Sequence, residues 1–111
     1  MKPTLTAFCL IATLMASTVV AKDKQEEWQT KALKAVKAEK TVIDARWRMA
    51  ETNVLWVSMQ ADGSSRDGFA QYLCILLMKA GAPEGDLKTV WIYDPATFKT
   101  GGKEIGIAAC R

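Results

Sequence analysis

The segment from Val54 to Gly81 constrains the fold of this 111-residue chain more than any other part of it. It begins with VLWVSM, which is apolar at both alternations except at Ser58, and this pattern predicts a central β-strand covered on both faces. The turn signal Asp62-Gly63 follows, and a long apolar run then ends at Gly81 with Pro83 just beyond, the usual order for the end of a helix. The segment therefore predicts a buried strand, a tight turn and a long helix.

The helix of this segment has apolar residues on two sides. With about 100° between successive residues, its spacing predicts one broad core face, made of Phe69, Tyr72, Leu73, Leu76, Leu77 and Ala80. Ile75 and Met78 lie on the opposite side, and Cys74 lies on the flank. Because a side holding two such residues is too apolar for water, we expect either another segment of the chain or a partner to cover it, and we favour the C-terminal tail. Ser64 with Asp67 predicts a capping box at the start of this helix.

The first 21 residues have the pattern of a secretory signal peptide. Met1-Lys2 is a short positive start, Leu5–Met15 is apolar, and small residues follow up to Ala21. This order predicts cleavage after Ala21. The alternative is an uncleaved membrane anchor, but the apolar run is shorter than the roughly 20 residues that a membrane-spanning helix needs.

Cleavage of the leader changes the cysteine count. Cys9 leaves with the leader, so Cys74 and Cys110 remain as an even pair in an exported chain. An oxidising compartment favours their pairing, and we predict a disulfide between them. The alternative is two buried free thiols.

Three further segments complete the mature chain. Asp23 and Glu26 fit a capping box before an amphipathic helix that is expected to reach about Lys40. Residues 41–49 alternate, which predicts a half-buried strand with inward residues Ile43, Ala45, Trp47 and Met49. Leu87–Tyr93 predicts a third strand, and residues 104–110 predict a fourth strand or an edge extension.

This element order predicts the fold class. An α-β-β-α-β chain with a possible last strand is expected to form a two-layer α+β domain over residues 22–111, in which two helices cover one face of a small mixed or antiparallel sheet. The order resembles that of the BON-type domains of bacterial envelope proteins. Those domains carry a glycine-valine signature before the last strand, where this chain has Glu84-Gly85-Asp86-Leu87. The resemblance therefore assigns no role to any residue.

Composition excludes several classes of function. The chain has no histidine, which removes the commonest general base and the usual zinc ligand. Two cysteines that pair cannot form a zinc site, and phosphate-binding and dinucleotide-binding glycine motifs are absent from the sequence. A net charge of +3 with both signs interspersed does not indicate nucleic-acid binding. We therefore predict no cofactor, no metal and no nucleic-acid partner, and we assign structural roles to Asp62 and Asp67.

Tryptophan and arginine give the strongest indication of a site. The four tryptophans are many for so short a chain, and three of them fall on predicted strands. If one sheet face packs on the helices, the other face is expected to carry Arg46, Arg48, Trp56, Trp91 and Tyr93. Such residues dominate protein interfaces, so we predict a binding face. The alternative is that the indoles belong to the core, or that the C-terminal tail folds over this face.

These observations predict a small periplasmic or secreted protein that is not an enzyme and has no stable membrane anchor after cleavage. Its expected function is a binding or accessory role, through contact with another protein of the bacterial envelope. The alternative is a module that binds an anionic glycan or a lipid headgroup. A third, weaker alternative is a hydrolase that uses carboxylates.

Overall fold

A computed structural model describes residues 25–111 of the chain. The predicted leader, Cys9 and Asp23 therefore lie outside the described residues. The first predicted capping box was wrong, because Glu26 is itself the N-cap residue and forms a capping box with Gln29. The elements are α1 (Glu27–Lys37), β1 (Val42–Met49), a 3₁₀ turn (Ala50–Thr52), β2 (Val54–Met59), α2 (Asp67–Lys79), β3 (Lys88–Tyr93) and β4 (Gly106–Cys110). The predicted α+β class is confirmed, with the optional last strand present.

The four strands form one mixed sheet in the order β1-β2-β3-β4. The pairs β1–β2 and β3–β4 are antiparallel, whereas β2 and β3 are parallel. A parallel pair needs a long crossover connection, and α2 supplies it. Both helices pack on the same face of the sheet, where one apolar core contains the fully buried residues Ala32, Val36, Leu55, Val57, Leu73, Leu77, Val90 and Ile92. No helix of residues 25–111 packs on the other face, which is called the outer face.

The predicted disulfide joins α2 to the edge strand β4. Cys74 and Cys110 are bonded, and their Cα atoms are 5.6 Å apart. The helix turns the flank that bears Cys74 towards the sheet, so its buried residues are Ala70, Leu73 and Leu77. The predicted core face was therefore wrong at Tyr72, which is exposed.

The expected cover over the back of α2 is also wrong. Ile75 is 48 % exposed and Met78 is 53 % exposed. The tail cannot cover them because it forms β4 within the sheet and meets the helix at Cys74, on the side of the helix that faces the sheet. None of the helices in residues 25–111 is long and apolar enough to cross a membrane.

Strand β1 departs from the predicted alternation at both ends. Ala45 is buried and Trp47 is half-buried, as expected, but Ile43 and Met49 are exposed. Register shifts between Val42 and Asp44 and between Trp47 and Met49 explain the difference. A bulge places one extra residue in a strand and moves the following side chains to the other face. Bulges on an edge strand also hinder pairing with a further chain.

The start of α2 packs against the open edge of β4. The backbone N–H of Ile107 donates to the Asp67 carboxylate at 2.9 Å, and the N–H of Arg66 donates to the carbonyl of Ile105 at 2.8 Å. The predicted capping box of Ser64 with Asp67 was wrong because Asp67 serves the edge strand. The hydroxyl of Ser64 instead donates to Asp62 at 2.6 Å.

Two helix-sheet contacts involve polar residues whose burial the sequence did not indicate. Lys88 is 1 % exposed, and its ammonium donates to the carbonyl of Pro83 at 2.7 Å, just beyond the end of α2. Gln29 of α1 is also buried, and its amide donates to the carbonyl of Ala50 and to the side-chain oxygen of Asn53. These bonds satisfy the buried groups and fix the ends of the helices on the sheet.

Candidate binding face

The structure brings all five predicted site residues onto the outer face. Arg46 lies opposite Trp56 in the β1–β2 pair, and Trp56 lies opposite Trp91 in the β2–β3 pair. This row crosses three strands. Arg48 and Tyr93 contact the same central indole, so the period of two along each strand was sufficient to predict the grouping.

Trp56 is the centre of this group. The guanidinium carbons of Arg46 and Arg48 each lie 5.3 Å from the centroid of its ring, within the range of a cation–π interaction. The ring centroid of Tyr93 lies 4.7 Å away on the same face. Two permanent positive charges are therefore held against one half-buried indole.

The connection between β3 and β4 covers one end of the outer face. We call residues 94–104, which make up most of this connection, the strap. Its Phe98 is buried, and the Arg46 guanidinium lies 5.3 Å from the Phe98 ring while donating to the carbonyl of Lys99 at 3.3 Å. Tyr93, near the strap, is only 2 % exposed. The outer face is thus partly covered, by the strap rather than by the tail.

A glycine allows the strap to lie directly on Trp56. Gly101 has φ +73°, and a Cβ placed on it would come within 2.3 Å of the indole Cη2. The strap is also held internally, because Asp94 accepts hydrogen bonds from the backbone N–H and the hydroxyl of Thr97 at 3.0 and 3.1 Å. Glycine is required at position 101 both for its backbone angle and for this close approach.

The rest of the outer face is open. A cleft of about 310 Å³ lies there, lined by Arg48, Met49, Val54, Trp56, Thr89, Trp91 and Tyr93. None of these residues is acidic. No carboxylate of residues 25–111 forms an ion pair with Arg46 or Arg48. The cleft is therefore an apolar site with a positive charge at its rim.

The ionisation of Tyr93 reflects this environment. Burial raises the pKa of the Tyr93 hydroxyl above its ordinary value, and the nearby Glu104 carboxylate raises it further. Arg48 acts in the opposite direction by favouring the phenolate. The hydroxyl therefore remains protonated at neutral pH, as a neutral polar group at the wall of the cleft.

A larger cavity, of about 630 Å³, lies beside the cleft, between the start of α1 and the end of β1. Trp28 and Trp47 line it with their rings edge to face, 5.5 Å apart. The indole N–H of Trp47 donates to the carbonyl of Gln29, and that of Trp28 donates to Glu26. Because these polar groups already have partners within the chain, we assign this region a structural role.

The acidic residues near the start of α2 also have structural partners. Hydrogen bonds from the hydroxyl and backbone N–H of Ser64, and then the charge of Arg66, hold the pKa of Asp62 below its ordinary value. Among residues 25–111, no group of three or more cysteine, aspartate or glutamate side chains is placed to hold a metal ion.

Comparison of the chain with protein-family models, with curated protein sequences and with solved structures finds no match. The function of the chain is therefore inferred from the residues of its outer face.

Proposed function

We propose that this chain is an exported, non-enzymatic binding protein that contacts another protein of the bacterial envelope through the open part of its outer face. The observation that carries the proposal is the cleft beside Trp56 and Trp91, with Arg48 at its rim and no acidic residue in its lining. Tryptophan, tyrosine and arginine supply most of the binding energy at protein interfaces. A half-buried indole held between fixed neighbours also loses little conformational entropy on binding.

The edges of the sheet support contact through the face. Strand β1 carries two register shifts, and the start of α2 occupies part of the β4 edge. Both features hinder the addition of a partner strand. The open face is therefore the surface of the sheet best suited to a partner.

Export is supported by two independent features. The first 21 residues have the order of charged, apolar and small residues that a secretory leader needs. The disulfide between Cys74 and Cys110 is of the kind that persists in oxidising compartments such as the periplasm.

Photo-cross-linking in the envelope tests the proposed function. A photoreactive phenylalanine analogue at Thr89, in the cleft, is expected to give a discrete adduct with one envelope protein. The same analogue at Lys31, on the exposed side of α1, is the matched control and is expected to give none. The adduct from position 89 should disappear when Arg48→Gln and Trp91→Ala are introduced together. Equal adducts from both positions would contradict the proposal.

The second candidate is binding of an anionic glycan or lipid headgroup at the same cleft. It is supported by the adjacent indoles Trp56 and Trp91, which offer apolar rings for stacking beside a cationic rim. It predicts a change in tryptophan fluorescence on titration with a sulfated oligosaccharide or with anionic vesicles. That change should weaken steeply as salt rises, because salt screens exposed charges. An unchanged spectrum with both probes would exclude this candidate.

A further inference from the structure

We propose that the open cleft recognises an aromatic side chain flanked by a carboxylate on a segment of the partner protein. This inference rests on the proposed function and names the chemistry of its partner. It follows from a comparison of the two sides of Trp56, one of which is already occupied by the chain's own strap.

The strap shows how this face holds an aromatic residue. The ring of Phe98 lies 5.3 Å from the Arg46 guanidinium, which is itself 5.3 Å from Trp56. The same guanidinium donates to the carbonyl of Lys99, the residue that follows the ring. An arginine on Trp56 thus lies against a second aromatic ring and also binds the backbone next to that ring.

Arg48 lies on Trp56 as Arg46 does, but it does not hold a second aromatic ring of residues 25–111. Its guanidinium also lies 5.3 Å from the Trp56 centroid. Among residues 25–111, no aromatic ring other than that of Trp56 lies within cation–π distance of it, and it lines the open cleft together with Val54, Thr89 and Trp91. The cleft volume of about 310 Å³ is at the lower end of the range of ligand pockets. It therefore suits one large side chain better than a whole domain edge.

Charge complementarity identifies the neighbour of that side chain. Arg48 has no ion pair with any carboxylate of residues 25–111, and every other residue that lines the cleft is uncharged in its ordinary state. A carboxylate next to the inserted ring can form a charge-assisted, bidentate hydrogen bond with the guanidinium. A lysine or arginine at the same place would be repelled.

Titration with three capped peptides tests this recognition. The probes are acetyl-Asp-Phe-Asp-amide, acetyl-Asp-Ala-Asp-amide and acetyl-Lys-Phe-Lys-amide, and the readout is the set of indole N–H signals of the ¹⁵N-labelled mature protein. We expect the first peptide to shift the signals of Trp56 and Trp91 in a saturable manner, and the other two to bind at least tenfold more weakly. The signals of Trp28 and Trp47, whose N–H groups bind within the chain, serve as internal references.

Variants separate the cleft from general charge effects. Arg48→Gln is expected to weaken binding of the first peptide about threefold or more. Lys34→Gln, which removes an exposed charge on α1, is expected to leave it unchanged. Equal binding of all three peptides, or no saturable shift at Trp91, would overturn the inference. If the cross-link from position 89 still depended on the cleft in that case, the proposed function would stand without this chemistry.

Discussion

Replacement of Gly101 by alanine tests whether the strap lies on Trp56. The new Cβ would sit 2.3 Å from the indole Cη2, and the backbone would still need φ +73°. An alanine in the left-handed region is strained, but alanine also lowers the conformational entropy of the unfolded chain, which offsets part of that strain. The net cost is about 1 kcal/mol. Forcing the strap off a packed ring adds about 1 to 3 kcal/mol, typical of overpacking. We therefore expect Gly101→Ala to lower the free energy of unfolding by about 2 to 4 kcal/mol.

Gly63 provides the matched control for the backbone angle. It has φ +88°, and a Cβ placed on it would meet no atom within 4 Å. Gly63→Ala is therefore expected to cost about 1 kcal/mol. Urea unfolding of the oxidised protein, followed by tryptophan fluorescence, measures both values. The stability that Gly101→Ala loses beyond Gly63→Ala should largely be regained when Gly101→Ala is made in a chain that also carries Trp56→Ala. If both glycine variants lost equal stability, the contact between the strap and the indole would be refuted.

Three further predictions concern the disulfide, the buried Lys88 and the hydroxyl of Tyr93. Cys74→Ala combined with Cys110→Ala removes a disulfide that links residues 36 positions apart in the sequence. On the chain-entropy model this lowers the free energy of unfolding by about 4 kcal/mol. A loss below about 1 kcal/mol in urea unfolding would contradict the prediction. Lys88→Ala is expected to lower the free energy of unfolding by about 2 to 4 kcal/mol, because it leaves a cavity. Lys88→Met keeps most of the side-chain volume and should lower it by less than about 1.5 kcal/mol. Equal losses of the two variants in urea unfolding would show that the ammonium group, and not the aliphatic part of the side chain, provides the stability. The pKa of the Tyr93 hydroxyl is higher in the folded chain than its ordinary value. The stability that the protonated hydroxyl contributes is therefore fully present below the pKa of tyrosine in the unfolded chain, and it is lost as pH rises through the pKa of Tyr93 in the folded chain. Arg48→Gln should raise that pKa further in an ultraviolet titration of the phenol, and a fall would contradict the placement of Arg48.

The segment that starts at Val54 allowed most of the fold to be predicted. Its apolar run, turn and helix stop are local signals, and the structure confirms the strand and the helix within a few residues. The disulfide followed from simple counting once Cys9 was assigned to the leader. The grouping of the site residues followed from the period of two along β1, β2 and β3, which tertiary packing did not disturb at these positions.

The remaining features depend on tertiary contacts that leave no local pattern. The register shifts in β1 moved Ile43 and Met49 to exposed positions, and no residue type marks such a shift. The burial of Lys88 depends on a carbonyl that only the folded loop after α2 supplies. Phe98 lies between the third and fourth predicted strands, where no element was predicted, so its cover of the outer face was missed. The pair Gly101-Gly102 is the sequence feature that could have indicated the close approach of the strap to Trp56.

The bond between Cys74 and Cys110 has a consequence for the motions of this domain. Edge strands are the usual place where a small domain frays and exchanges its amide hydrogens. Here Cys110, the last residue of the edge strand β4, is bonded to α2, so this end of β4 cannot separate from the domain. The strap consequently has two fixed ends, because β3 lies before it and β4 after it. Amide exchange in the strap would then report a local opening above Trp56 that leaves the sheet and the cleft floor assembled.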